Sequence, residues 1–299
     1  MTIFYLFDFR SLWSPFFASL LFIILFLYYL ITVKYRKSFK QSEPLTINQG
    51  AFFTGFILLL YLIKGSPIDL MSHMMLTMHM VQMAFLLLII PILFIKGIPD
   101  WLWRCALDTR LIKLLFRFFD KPFIAMLLFN VCFSFYHIPF ILDFSKTNNF
   151  YHAFIHSLLF LLAIFMFWPI LNNLSGSKDM SGILKTGYMF ANGALMLPAC
   201  ALIIFADKPI YQTYSDPETW INALSLCATP SSMSRLGSAG PELLKMFNPL
   251  GPLQDQQLGG ILMKTVQEIV YAVIIAKIFA DWYRKDQEEA LEETKRGQS

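Results

Sequence analysis

Long charge-poor apolar runs recur along this chain, several of about 18 residues or more, long enough to cross a hydrocarbon core about 30 Å thick as a helix. Lipid offers backbone amides no outside partner, so a spanning segment is either a helix or part of a closed barrel, and the alternation of a barrel is absent. The runs lie at about 15–33, 50–63, 71–95, 122–141, 151–171, 186–206 and 258–280. They predict an all-α polytopic membrane protein with seven transmembrane helices, a single membrane domain over 1–285, and a tail at 286–299. With 57% of residues apolar and 15% charged, the chain is far from the balance of a soluble domain.

The basic residues sort by loop. Two-thirds of the 24 Lys and Arg fall in 34–48, 96–121, 172–185 and 282–299, which places the N-terminus outside and the C-terminus in the cytoplasm. Lys34, Arg36, Lys37 and Lys40 follow the first apolar run rather than precede it, the reverse of a signal peptide, so that run reads as a retained helix. Basic charge lying mostly in the loops of a membrane protein leaves no need for a nucleic-acid partner. Lys277 and Lys264, inside the last run, are expected to snorkel to its two ends. The connection 207–257 is too long for a hairpin. Ser215-Asp216-Pro217-Glu218 reads as a helix start and Gly240-Pro241-Glu242 as a second, predicting a small lid on the outer face.

All five histidines, His73, His79, His137, His152 and His156, fall in the outer halves of predicted spans. An ionisable group in a membrane helix is costly and usually faces the bundle interior, which makes each a functional candidate. Six of the 15 methionines crowd between Met71 and Met83. On one continuous helix Ser72, Met75, His79, Gln82 and Met83 share a stripe, with His73 and Met80 about 120° away. His152 and His156, four apart, stack on one face at a chelating spacing. Imidazole suits several transition metals and thioether sulfur selects Cu(I), so His73, His79, His137, His152 and His156 with Met75, Met80 and Met83 form a candidate copper set. The competing readings are that methionine fills gaps in the core and histidine bonds across helices.

Asp255 and Gln257 open the last run; they would orient imidazole ligands, or Asp255 would satisfy free helix amides. Gln267 and Glu268 lie deeper, where a buried Glu is neutral or paired. The four cysteines form no CxxC or CxC pair. No phosphate-cradling glycine loop, GxSxG or HExxH occurs, so the chain does not read as an enzyme.

Ser66-Pro-Ile-Asp-Leu70 leading into Ser72-His-Met, His79-Met-Val-Gln-Met83, Tyr136-His-Ile-Pro139, His156-Ser-Leu-Leu-Phe through Phe167-Trp-Pro169, and Asp255-Gln-Gln-Leu-Gly-Gly-Ile-Leu-Met263 carry a resemblance. With them the chain resembles, over almost its whole length, the CtaG cytochrome c oxidase assembly factors of Bacillus-type bacteria, associated with caa-type oxidases. It departs from their pattern at Met83, where relatives have His, and at Lys264, where they have an aromatic. The resemblance implies a multi-pass protein of the bacterial cell membrane that helps build cytochrome c oxidase by supplying copper to its outer centre. Its partners would be oxidase subunits and an extracytoplasmic copper chaperone. The alternatives are a haem-binding redox protein with axial histidines, a metal permease, which the apolar inner halves of the third and fifth runs oppose, and a metal-free assembly scaffold.

Overall fold

Helix is the only regular structure among the residues that the computed structural model describes, 6–119, 121–172, 174, 180–236 and 240–297. Residues 237–239 of the expected lid and 298–299 of the expected tail lie outside that set. Six described helices are long and apolar enough to cross a membrane: Pro15–Lys34 (α1), Ile47–Lys64 (α2), Leu76–Gly97 (α4), Asn149–Leu171 (α7), Gly182–Ile204 (α8) and the Pro252–Glu288 part of Pro252–Gly297 (α10). The short Pro67–Met74 (α3) precedes α4. A seventh crossing exists if Pro122–Tyr136 (α5) and Pro139–Ser145 (α6), bent by 80°, count as one span. Outward-facing apolar side chains such as Phe16, Phe140 and Ile183 are 81%, 78% and 77% exposed, a surface that lipid rather than water covers.

Two of the expected spans are broken, each for a local reason. The third begins at Leu76 rather than at Met71, because Met75 is extended (φ −134°, ψ 135°) and separates α3 from α4. The amides freed there are captured from the far end of the chain. Asp255 on α10 accepts from Leu76 N at 2.7 Å and Thr77 N at 3.2 Å, while its own carbonyl accepts from Thr77 Oγ1 at 2.8 Å. The fourth expected span, 122–141, stops at Tyr136. Pro139 disfavours helical geometry at Ile138, which is extended (φ −64°, ψ 130°), and the chain turns the corner at His137. Within α4 a π turn, Phe85–Ile89, precedes Pro91, whose ring leaves the Leu87 carbonyl without its helical donor.

α10 packs along α8 and α4, α5 along α7 and α8, and α2 against the second half of α4. Gly259 and Gly260 let α10 enter. A Cβ at Gly259 would stand 3.1 Å from Thr77 Cα, and one at Gly260 would stand 2.7 Å from Ile204 Cγ1. The Lys264 side chain, expected to snorkel, pairs with Glu268 one turn on, at 2.5 Å, and donates to Gln267 at 2.8 Å. That pair answers for the charge of Glu268, which is itself largely exposed.

Short helices form in the long connection, where the lid is expected. Pro217–Leu224 (α9) is capped by Asp216, which accepts from Thr219 N at 2.9 Å, and a further helix runs Gly240–Phe247. The lid rests on a second apolar cluster of Phe7, Leu12, Leu70, Met74, Trp220 and Leu224. Trp220, fully buried, donates its indole N–H to the Met74 carbonyl at 3.0 Å. That carbonyl lies at the end of α3, where no helical donor follows, so the break and the lid satisfy each other.

Candidate functional site

The five histidines form one string of neighbouring rings. His73 ends α3, His79 lies one turn into α4, His137 occupies the α5–α6 corner, and His152 and His156 stack in the first half of α7. Ring centroids of His73 and His152 are 5.0 Å apart, those of His152 and His156 4.0 Å, those of His79 and His156 5.9 Å, and those of His79 and His137 6.4 Å. None is more than 6% exposed. The break at Met75 makes this possible: on a continuous helix His73 and His79 would face apart, and the extended residue re-aims the first toward His152.

Few of the ring nitrogens are bonded. Tyr136 Oη lies 3.1 Å from His156 Nε2 and 3.4 Å from His79 Nε2, bridging α4 and α7. His137 Nδ1 donates to the Phe133 carbonyl at 2.8 Å. That bond sets the tautomer and turns the Nε2 lone pair into the bundle. Buried and without a hydrogen-bond partner are Nδ1 of His73, His79 and His156, Nε2 of His137 and both nitrogens of His152. Buried polar atoms are ordinarily paired, so six bare nitrogens in one region need a water or an ion to account for them. Neutral imidazole nitrogens are donors to Cu(I), Cu(II) and Zn(II) alike.

The wall around the cluster contains residues that sequence reasoning passed over. Tyr211 donates to the His137 carbonyl at 2.7 Å, and Tyr214, with its ring 6.3 Å from His79, donates to Ser72 O at 2.9 Å. Burial holds the Tyr214 hydroxyl well above the ordinary range, so it remains a donor. Lys146 is buried; it donates to the same Ser72 carbonyl at 3.3 Å, and its ammonium lies 5.6 Å from the Tyr214 ring centroid. Only the spacing of Tyr211 and Tyr214, one helical turn in the lid, hinted that both face inward.

Met80 and Met83 are fully buried in the main apolar core, and Met75 packs on the lid cluster. Asp255 spends its carboxylate on the amides of α4, and Gln257 donates to the Ala206 carbonyl at 3.2 Å; neither bonds an imidazole among the described residues. Gln82, on the predicted stripe, instead donates to Ile63 O at 2.8 Å and to Asp69 Oδ1 at 2.7 Å, tying α4 to α2 and α3.

A bundle of membrane-length helices enclosing an aromatic-walled histidine cluster under a lid defines a polytopic membrane protein with a buried histidine centre. Residues 26–285 match the family model of the cytochrome c oxidase caa3 assembly factors (Caa3_CtaG), and the chain belongs to that family. No curated protein and no solved structure matches it. Membership makes the chain a membrane assembly factor associated with cytochrome c oxidase.

Proposed function

We propose that this assembly factor takes up copper as Cu(I) in the histidine cluster and releases it to the copper centre on the outer face of the oxidase. The single observation that carries the reading is a string of five buried imidazoles, each ring centroid within 6.4 Å of the next, with six unpartnered nitrogens. Cu(I) accepts low coordination numbers, and the stacked His152–His156 pair, with His73 and His79 on either side, offers it a choice of donors. Neutral nitrogen ligands hold it without a permanent counter-charge, which suits cargo that must leave. In this reading the N-terminus and lid face outside, the C-terminus is cytoplasmic, the membrane is the bacterial cell membrane, and an extracytoplasmic copper chaperone is the donor. The chain acts by ligand exchange and not as an enzyme.

Packing speaks against the haem alternative. His152 and His156 stack with ring centroids 4.0 Å apart, and a porphyrin between His79 and His156 would displace the buried Tyr136 that bridges them. The test is the copper content of detergent-purified protein after anaerobic Cu(I) loading, with a His79→Ala, His152→Ala, His156→Ala variant beside the wild type. Bound copper that the variant loses supports the reading. Equal, negligible copper in both turns the protein into a metal-free scaffold for an oxidase subunit.

A further inference from the structure

We infer that Asp69, His73 and Cys227 form a second metal site at the lid, a loading position from which the ion passes inward to the bundle histidines. One donor atom from each of the three lies within 4.8 Å of those of the other two. The three come from two parts of the chain more than 150 residues apart in number, α3 and the turn after α9, and meet only because the lid lies on α3. No pair of cysteines is involved, which is why no thiol motif marks the site in the sequence.

Each member is disposed for binding. His73 is 1% exposed, and its Nδ1 is buried without a partner. Asp69 is held by Lys64 Nζ at 2.6 Å and Gln82 Nε2 at 2.7 Å, both on Oδ1. Oδ2 receives no hydrogen bond from the described residues. The anchoring fixes the carboxylate and leaves its second oxygen to a ligand, the outer-shell support that metal carboxylates commonly have. Cys227 is a free, partly buried thiol. Asp69 and Cys227 remain partly exposed whereas His73 is buried, so solvent reaches the site at the carboxylate and the thiol rather than at the imidazole.

The donor set differs in kind from the inner cluster. Thiolate sulfur, imidazole nitrogen and carboxylate oxygen give two anionic ligands, which offset both the ion and the Lys64 ammonium beside them. Soft sulfur favours Cu(I), and the mixed set also admits Co(II) and Zn(II). On binding, the Cys227 S–H proton goes to solvent as the metal–sulfur bond forms, and no electron moves. His73 links the two sites, since its ring centroid lies 5.0 Å from that of His152. Transfer inward is a ligand exchange: a His152 nitrogen bonds the ion, the Cys227–metal bond breaks, and the thiolate recovers a proton from water. The direction of passage rests on the copper reading above, whereas the existence of the lid site does not.

Co(II) is the probe, because a thiolate ligand gives it a near-ultraviolet charge-transfer band that nitrogen, oxygen and thioether donors lack. Full-length protein in detergent, titrated anaerobically with Co(II), should show the band. A His79→Ala, His137→Ala, His156→Ala variant should keep it, and monodisperse Cys227→Ser and His73→Ala variants should lose it. No band in the wild type, or one that survives Cys227→Ser, overturns the site. A second readout needs no variant: alkylation of Cys227 by iodoacetamide, followed by peptide mass spectrometry, should slow when Co(II) is present, and an unchanged rate also overturns it. Failure of the copper reading is separable. Cu(I) content equal in the wild type and in the His79→Ala, His137→Ala, His156→Ala variant, with the cobalt band intact in both, sinks the inner site and leaves the lid site standing.

Discussion

Gly259 shows how much of the site depends on a single missing methyl group. It stands where α10 passes the first turn of α4, and an added Cβ would press on Thr77 Cα at 3.1 Å and Leu76 O at 3.2 Å. Those are backbone atoms and have no rotamer to move into. Gly259→Ala should therefore lower the thermal stability of the detergent-solubilised protein by about 1–3 kcal/mol, the usual cost of overpacking. Gly187, one helix away on α8, has nothing within 4 Å of its Cβ position. Gly187→Ala should be neutral or stabilising by up to about 1 kcal/mol, since alanine is the better helix residue. Equal effects from the two substitutions would contradict the close packing of α10 on α4.

At the scale of elements, the break between α3 and α4 governs the geometry. A helix start leaves amides unpaired, and in a membrane bundle water cannot be relied on to meet them. Asp255 supplies two acceptor oxygens from a helix nearly 180 residues further on, so α10 holds the break open. Bonds to a carboxylate contribute about 1.5–3 kcal/mol each, and an amide side chain at the same place has one oxygen and no charge. Asp255→Asn should cost about 1–3 kcal/mol of stability. It should also speed hydrogen exchange specifically at the Leu76 and Thr77 amides; exchange unchanged at both would show that the carboxylate does not cap them. Its sequence position offered Asp255 as a cap of its own helix or as a ligand orienter, and the fold shows a bond pattern outside both, because the amides it caps belong to another helix. The same holds for the fourth span. Pro139 was visible in the sequence, but only the placement of α6 across the end of α5 shows that the corner presents His137 to the bundle.

For the molecule as a whole, the junction between lid and bundle is where protonation is coupled to stability. Lys146 lies just past α6, outside the candidate spans, and burial pulls its ammonium down to about 7, against about 10.4 for a free lysine. Between those values the unfolded chain holds a proton that the folded chain has released, so folding is favoured progressively as pH rises through the window and the gain is lost as pH falls toward the lower value. The melting temperature should climb between about pH 7 and about pH 9, and Lys146→Met should remove that part of the slope. A wild-type slope no steeper than the variant's would place Lys146 in water.

Hydropathy alone was enough to determine the class of this protein, the approximate places of its spans and the gathering of its histidines toward one side, because each is a property of a segment meeting lipid. Trp220, Asp216 and Pro217 likewise foretold a lid helix from local chemistry. Which side chains touch was decided only by the tertiary structure. Helical spacing relates residues within about two turns, and the break at Met75 cancels even that relation for His73 and His79. Contacts such as Tyr136 with His79 and His156, Asp255 with Leu76, or Cys227 with Asp69 and His73 depend on how separate helices slide and turn against one another, which packing between the helices sets and no periodicity within a segment contains.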